Sequence, residues 1–155
     1  MELARNLKID SVSRLHPTPP RVVAPEQTVA DAVALMRQHR VGCVLVCRRE
    51  KLVGLFTERD LLRRVVAAGK SLETPLGEVM TPEPVCVRAK DPIRLAIRHM
   101  EQGGYRHLPV VDEAGRPVGM LSVKRIVHYL VEHFPATVYN LPPDPRAVPQ
   151  EREGA

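Results

Sequence analysis

Tryptophan is absent from the 155-residue chain, and two phenylalanines and three tyrosines are its whole aromatic content. So sparse a set gives nothing from which to build the stacked aromatic platforms that hold single-stranded nucleic acids. There are only three cysteines, Cys43, Cys47 and Cys86, too few for a disulfide framework. Each sits among aliphatic residues and is expected as a buried free thiol. No CxxC-like spacing with a nearby histidine occurs, so no metal site is predicted. The longest apolar run, Val41 to Cys47, is too short to span a bilayer. The start, Met1-Glu2-Leu3-Ala4-Arg5-Asn6, has no apolar signal core. The expectation is a soluble, cytoplasmic protein.

Charge of one sign is present but never concentrated. The net charge is +5, from 23 Lys and Arg against 18 Asp and Glu, with no run of five or six like charges. Only Lys8, Lys51, Lys70, Lys90 and Lys124 are lysines; the other cations are arginines. Arginine-rich codon usage and an anionic ligand are both open as reasons. Hydrophobic residues make up 44% of the chain, enough for one domain or two half-domains sharing a core.

The chain repeats itself. Val29-Ala30-Asp31-Ala32 with Met36 recurs as Ile93-Arg94-Leu95-Ala96 with Met100, 64 positions on. Val44-Leu45-Val46 recurs as Pro109-Val110-Val111, and Leu52 to Thr57 recurs as Pro117 to Ser122, 65 positions on. The extra residue is assigned to the Gly103-Gly104 turn. Two repeats are too few for a solenoid but fit a pseudosymmetric domain in which each half covers the other's apolar face.

Each repeat reads alike. A short strand opens it, Arg21 to Val23 or Pro84 to Val87. An amphipathic helix follows, capped by Thr28 in one repeat and by Asp91, with Pro92 at the first helical position, in the other. Gly103 or Gly104 ends the second. A hairpin comes next: Val41 to Cys47 turns at Arg48-Arg49-Glu50-Lys51 into Leu52 to Phe56, and Leu108 to Val111 turns at Asp112 to Gly115 into Pro117 to Leu121. Helices Glu58 to Ala68 and Val123 to Phe134 close the units. Val44, Leu45, Val46, Val53, Leu55, Val110, Val111, Val118 and Leu121 are the expected core. The expected organisation is an N-terminal segment 1–19 with sparse apolar residues, repeats 20–70 and 84–134 joined by a linker 71–83, and a proline-rich, disordered tail 135–155.

Strand-helix-strand-strand-helix, twice, with Gly-x-x-Thr/Ser opening the last helix, resembles the CBS domain pair, or Bateman module. The residues that carry this are Gly54-Leu55-Phe56-Thr57-Glu58-Arg59-Asp60-Leu61-Leu62 and Tyr105-Arg106-His107-Leu108-Pro109-Val110-Val111-Asp112. The resemblance covers roughly residues 8 to 134 and leaves no room for an appended catalytic or channel domain. It implies an α/β (α+β) fold of two pseudosymmetric repeats packed through their sheets. It also implies a regulatory module that binds AMP, ADP, ATP or S-adenosylmethionine and pairs into disc-like homodimers.

Thr57 and Asp60 stand at the cap and third position of a helix. A plain capping pair explains them. So does a nucleotide site, with the helix start and hydroxyl toward phosphate and the carboxylate accepting from both ribose hydroxyls. In the family the Asp holds the ribose. Arg106 and His107 are either solvated residues or a phosphate clamp, which Lys124 would join. The second repeat has Ser122 and Arg125 where the first has Thr57 and Asp60. A guanidinium only donates and cannot accept from a ribose, so this site is expected to be weaker or empty. His39, His99, His128 and His133 read as helix-surface residues, and Tyr129 as a flank of the second closing helix. No catalytic constellation is present, so an enzyme is not expected. The lead expectation is a nucleotide sensor acting on an unknown regulated protein through differential binding. A nucleic-acid-binding protein and an interaction scaffold with empty pockets are the alternatives.

Overall fold

The structure, a computed structural model, describes residues 2–136. The tail expectation from residue 137 onward, Tyr139 included, lies outside the described residues.

Local chemistry fixes most elements. After helix α1 (Glu2–Ile9) and a 3-10 turn (Val12–Leu15) comes strand β1 (Val22–Val23). Helix α2 (Val29–His39) starts in a capping box: the Asp31 amide donates to the Thr28 hydroxyl at 3.2 Å, and the Thr28 amide donates to the Asp31 carboxylate at 3.0 Å. Val29, Ala32 and Met36 form its buried face. Strands β2 (Cys43–Arg48) and β3 (Lys51–Thr57) are joined through Arg49 and Glu50, both at positive φ, as a two-residue turn of matching twist requires. Helix α3 (Glu58–Asp60) runs on as a π-helical stretch, Leu61–Val66. A short helix α4 (Leu76–Val79) and strand β4 (Thr81–Pro82) lead to the second repeat. That repeat has helix α5 (Ile93–Gly103), strands β5 (His107–Val111) and β6 (Pro117–Ser122), and helix α6 (Val123–His133).

The sheets show how two repeats become one unit. The first sheet runs β1-β2-β3-β4, with β1 parallel to β2 and β4 antiparallel to β3. The β5-β6 hairpin is extended by single bridges, Val87 parallel to Val110 and Thr18 antiparallel to Met120. Thr81 precedes the second repeat and pairs with the first; Thr18 precedes the first and pairs with the second. Each hairpin is thus completed by the strand leading into the other repeat. The first core gathers Val23, Val29, Val44, Phe56, Val65, Leu76 and Val79. The second gathers Val87, Ile93, Leu108, Leu121 and Ile126. Cys43, Leu45 and Leu55 of the first sheet meet Met120 of the second, so the sheets pack on each other. The fold is the expected α+β pair of repeats.

Several local expectations are corrected. Segment 1–19, sparse in apolar residues, still places Val12 and Leu15 in the second core. Tyr129, on the flank of α6, is buried, and its hydroxyl donates to Asp10. Asp91 does not cap α5. Its carboxylate takes the Arg88 amide at 2.8 Å, Pro92 is the cap residue, and the helix begins at Ile93. The expected strand Pro84 to Val87 reduces to the Val87 bridge, which leaves Cys86 exposed rather than buried. Val118 is 54% exposed because the β5-β6 register shifts between Val110 and Val111 and makes it a bulged residue out of alternation. Val53, at the equivalent bulge, is only partly buried.

The extra residue of the second repeat is also elsewhere than expected. Val46 faces Gly54, and Val110 faces Gly119. The first strand of each hairpin therefore keeps the same spacing as the helices. The insertion lies in the second hairpin's turn, which carries Gly115 at φ 80° and closes with the Asp112 amide donating to the Arg116 carbonyl. By this register Arg40 corresponds to Gly104, Gly42 to Arg106, and Ser122 to Thr57.

Candidate functional site

Two clefts open between the repeats. The first, of about 390 Å³, has one wall from the start of α3 (Thr57, Glu58, Arg59, Asp60) and the π-helical stretch (Arg63, Arg64). Its floor is the crossing segment Thr81 to Val85, and its far wall is Gly103 to His107. The second, of about 1030 Å³, is the pseudosymmetric counterpart, between Ser122-Val123-Lys124, the end of α2, and Thr18-Pro19.

Asp60 is the only buried charged residue among the described residues, at 7% exposure. Its Oδ2 accepts from the Thr57 amide at 3.0 Å and from the Thr57 hydroxyl at 3.2 Å. The Asp60 amide in turn donates to the Thr57 hydroxyl at 3.2 Å, completing a capping box. The Thr81 hydroxyl donates to both carboxylate oxygens, at 3.1 and 3.2 Å. Arg64 Nε stands 3.4 Å from Oδ1, while its Nη1 donates to the Met80 carbonyl at 2.7 Å. Capping and cleft-lining thus belong to the same carboxylate. The motif glycine serves the same crossing: a Cβ on Gly54 would run into the Met80 sulfur.

Of the residues expected at the main site, Thr57, Asp60, Arg106 and His107 come together in the first cleft. Lys124 does not; it lines the second, with Ser122. Arg125 does not line either cleft. Arg106, His107, Glu58 and Gly42 line both. His107 is half-buried, and burial holds its ring below the usual histidine range; Glu58 opposes this, while Arg106 and Lys124 reinforce it. Burial and the Asp60 charge push the Cys43 thiol far up, leaving it unreactive. Thr81 and Arg64 belong to no motif. Thr81 nonetheless has a signal in the chain, since Thr18-Pro19 recurs as Thr81-Pro82. Among the described residues no cluster of three His, Cys, Asp or Glu is placed to hold a metal ion.

Paired repeats, strand exchange and two interfacial clefts define a tandem CBS domain module. The CBS domain family model matches residues 12–67 and again 76–132, and the chain belongs to that family. It is 36% identical over 105 residues to the CBS domain-containing protein YhcV of Bacillus subtilis, covering 68% of this chain and 75% of that one. It is 38% identical over 108 residues to CBSCBSPB3 of Arabidopsis thaliana, covering 69% of this chain but only 19% of the plant protein. The solved CBS domain protein PAE2072 from Pyrobaculum aerophilum, complexed with AMP, superposes with a TM-score of 0.71 at 27% identity, covering 79% of this chain and 99% of that one. No helix among the described residues is long and apolar enough to cross a membrane.

Proposed function

We propose that the chain is a regulatory module that binds an adenine nucleotide, AMP, ADP or ATP, in the first cleft and passes occupancy to a partner protein as a conformational change. The observation that carries this is the buried Asp60 carboxylate opening into a nucleotide-sized cleft whose far wall presents Arg106 and His107. A relative of the same fold, PAE2072, is complexed with AMP. Thr57 and Thr81 hold the carboxylate from behind. Arg64 holds Oδ1 at 3.4 Å, longer than a strong charge-assisted bond, from a half-exposed side chain. A ribose diol takes the place of that guanidinium at small cost. The phosphate then meets Arg106 and His107, and the released Arg64 no longer ties α3 to the Met80 carbonyl. Asp60 thereby links ligand occupancy to the segment that crosses between repeats, and only the difference in affinity between tied and released states does regulatory work.

A homodimer is part of this reading. Leu62 and Val66 on the π-helical stretch, and Val123 and Val127 on α6, are exposed apolar residues on the two closing helices. A second module would cover them. Titration calorimetry with AMP, ADP, ATP and S-adenosylmethionine tests the ligand, and the absence of binding to all four would overturn the reading. Light scattering tests the dimer: the wild type is expected as a dimer, and Leu62→Asp as a monomer.

A further inference from the structure

We propose that the second cleft is a binding site for an oligophosphate group, recognised by charge and without a ribose. Five cations converge on it from four places in the chain: Arg21 ahead of β1, Arg37 and Arg40 at the end of α2, Arg106 ahead of β5, and Lys124 in the first turn of α6. The only carboxylate in its lining is Glu58. None of the five makes an ion pair among the described residues. The first cleft is different, with four arginines set against Glu58, Asp60 and Glu83. Unbalanced positive charge on the walls of a concavity focuses the field there and draws a multivalent anion.

Three local features point the same way. The position that holds the ribose-accepting carboxylate in the first repeat is Arg125 in the second, a residue that only donates. The Ser122 hydroxyl makes no cap bond, whereas the Thr57 hydroxyl is engaged by its own helix. Arg40 sits at φ 53°, in the left-handed region, where the other repeat has Gly104 at φ 65°. A side chain there is a backbone penalty that glycine avoids, and it is borne at the rim of the cleft. Planar guanidinium forks approaching from several sides match the tetrahedral oxygens of linked phosphates.

Two sources have this chemistry: a free inorganic oligophosphate, and the tail of a nucleoside oligophosphate whose ribose sits on Asp60, since Arg106 and His107 line both clefts. Only the second source rests on the function proposed above.

The test titrates the full chain with inorganic triphosphate, AMP and ATP. Wild type is compared with the Arg40→Gly, Lys124→Gln double variant and with Asp60→Ala. Arg40→Gly installs the residue the equivalent cap already uses, so folding is preserved. The wild type should bind triphosphate, and the double variant about tenfold or more weaker, with AMP affinity unchanged. Added salt should weaken triphosphate binding more in the wild type than in the double variant. Triphosphate affinity that survives in Asp60→Ala, with ATP bound no tighter than triphosphate, identifies the free anion as occupant. ATP bound tighter than AMP, with the advantage lost in the double variant, identifies the tail. A wild type that ignores triphosphate and binds ATP no tighter than AMP, or a double variant that keeps full affinity for triphosphate and ATP, overturns the proposal. Failure of AMP to bind, together with ATP bound no tighter than triphosphate, overturns the nucleotide reading instead and leaves this one standing.

Discussion

At equivalent places in the two repeats, Thr57 and Asp60 face the first cleft where Ser122 and Arg125 follow β6, and Gly104 caps one helix where Arg40 caps the other. The crossing threonines differ as well. Thr81 donates to the Asp60 carboxylate, while Thr18, lacking such a partner, donates to the Met120 carbonyl at 3.2 Å. One backbone plan thus carries two electrostatic environments: a cleft with a buried carboxylate held by hydroxyls, and a larger one dominated by cations. The two repeats share one frame, and a few residues at helix starts and caps set the clefts apart. A symmetric fold does not imply symmetric sites, because recognition depends on which polar groups end up at equivalent backbone positions.

The comparison can be broken or sharpened in order of expected effect. The two segments that cross between repeats are equivalent in the fold and should matter equally to it. Leu15→Ala and Leu76→Ala each empty a buried site and should each cost about 2–5 kcal/mol, read as the urea midpoint. A negligible loss at Leu15 would mean that the N-terminal segment is an accessory to the second core. Asp60→Ala removes two charge-assisted bonds to a ribose, at about 1.5–3 kcal/mol each, and should weaken AMP binding about a hundredfold or more. Arg125→Ala should leave AMP binding nearly unchanged. Equal effects at the two positions would erase the distinction between the clefts.

Tyr129→Phe should cost about 1–2 kcal/mol, because it leaves Asp10 without the hydroxyl that ties segment 1–19 to α6. The Tyr129 hydroxyl, pushed up to about 12 by burial and by Asp10, should remain un-ionised in an ultraviolet titration well past the usual tyrosine range.

His107 gives a smaller, pH-dependent effect. Its ring titrates below the ordinary histidine range in the folded protein, chiefly through burial. The unfolded chain therefore takes the proton more readily, and the empty protein loses stability as pH falls through that range. A bound anion beside His107 raises its pKa, so binding takes up protons and affinity should rise several-fold from pH 8 to 6.5. His107→Gln should flatten the profile, and a slope unchanged in that variant would show that His107 does not face the anion. Smallest of all, Arg40→Gly should raise stability by about 0.5–1 kcal/mol, as relief of a left-handed cap outweighs added chain entropy. A loss would show that the Arg40 side chain supports the fold rather than a ligand.

Much of this was legible in the residues. The Thr28 capping box, the apolar faces at Val29, Ala32 and Met36 and at Ile93, Ala96 and Met100, and the hairpins around Arg49-Glu50 and Asp112-Gly115 follow from short-range rules that need no partner. The pairing of Thr57 with Asp60 was equally visible, since capping acts over three residues. Lys124 was misplaced for the opposite reason. Sequence proximity to a helix start does not reveal which of two pseudosymmetric clefts that start faces. Val118 and Cys86 failed because alternation holds only where a strand is paired without a bulge.

The sequence by itself determined the repeat, the order of elements, the bulk of both cores and the inequality of Asp60 and Arg125, because periodicity, capping and charge are properties of neighbouring residues. Only the tertiary structure decided that Thr18 and Thr81 cross to the opposite repeats, that Leu15 and Leu76 belong to the cores, and that Arg21, Arg37, Arg40, Arg106 and Lys124 converge on one cleft. Those contacts join residues far apart in the chain. They exist because each hairpin has an open edge whose backbone groups must be paired, and the strand that reaches that edge comes from the other half.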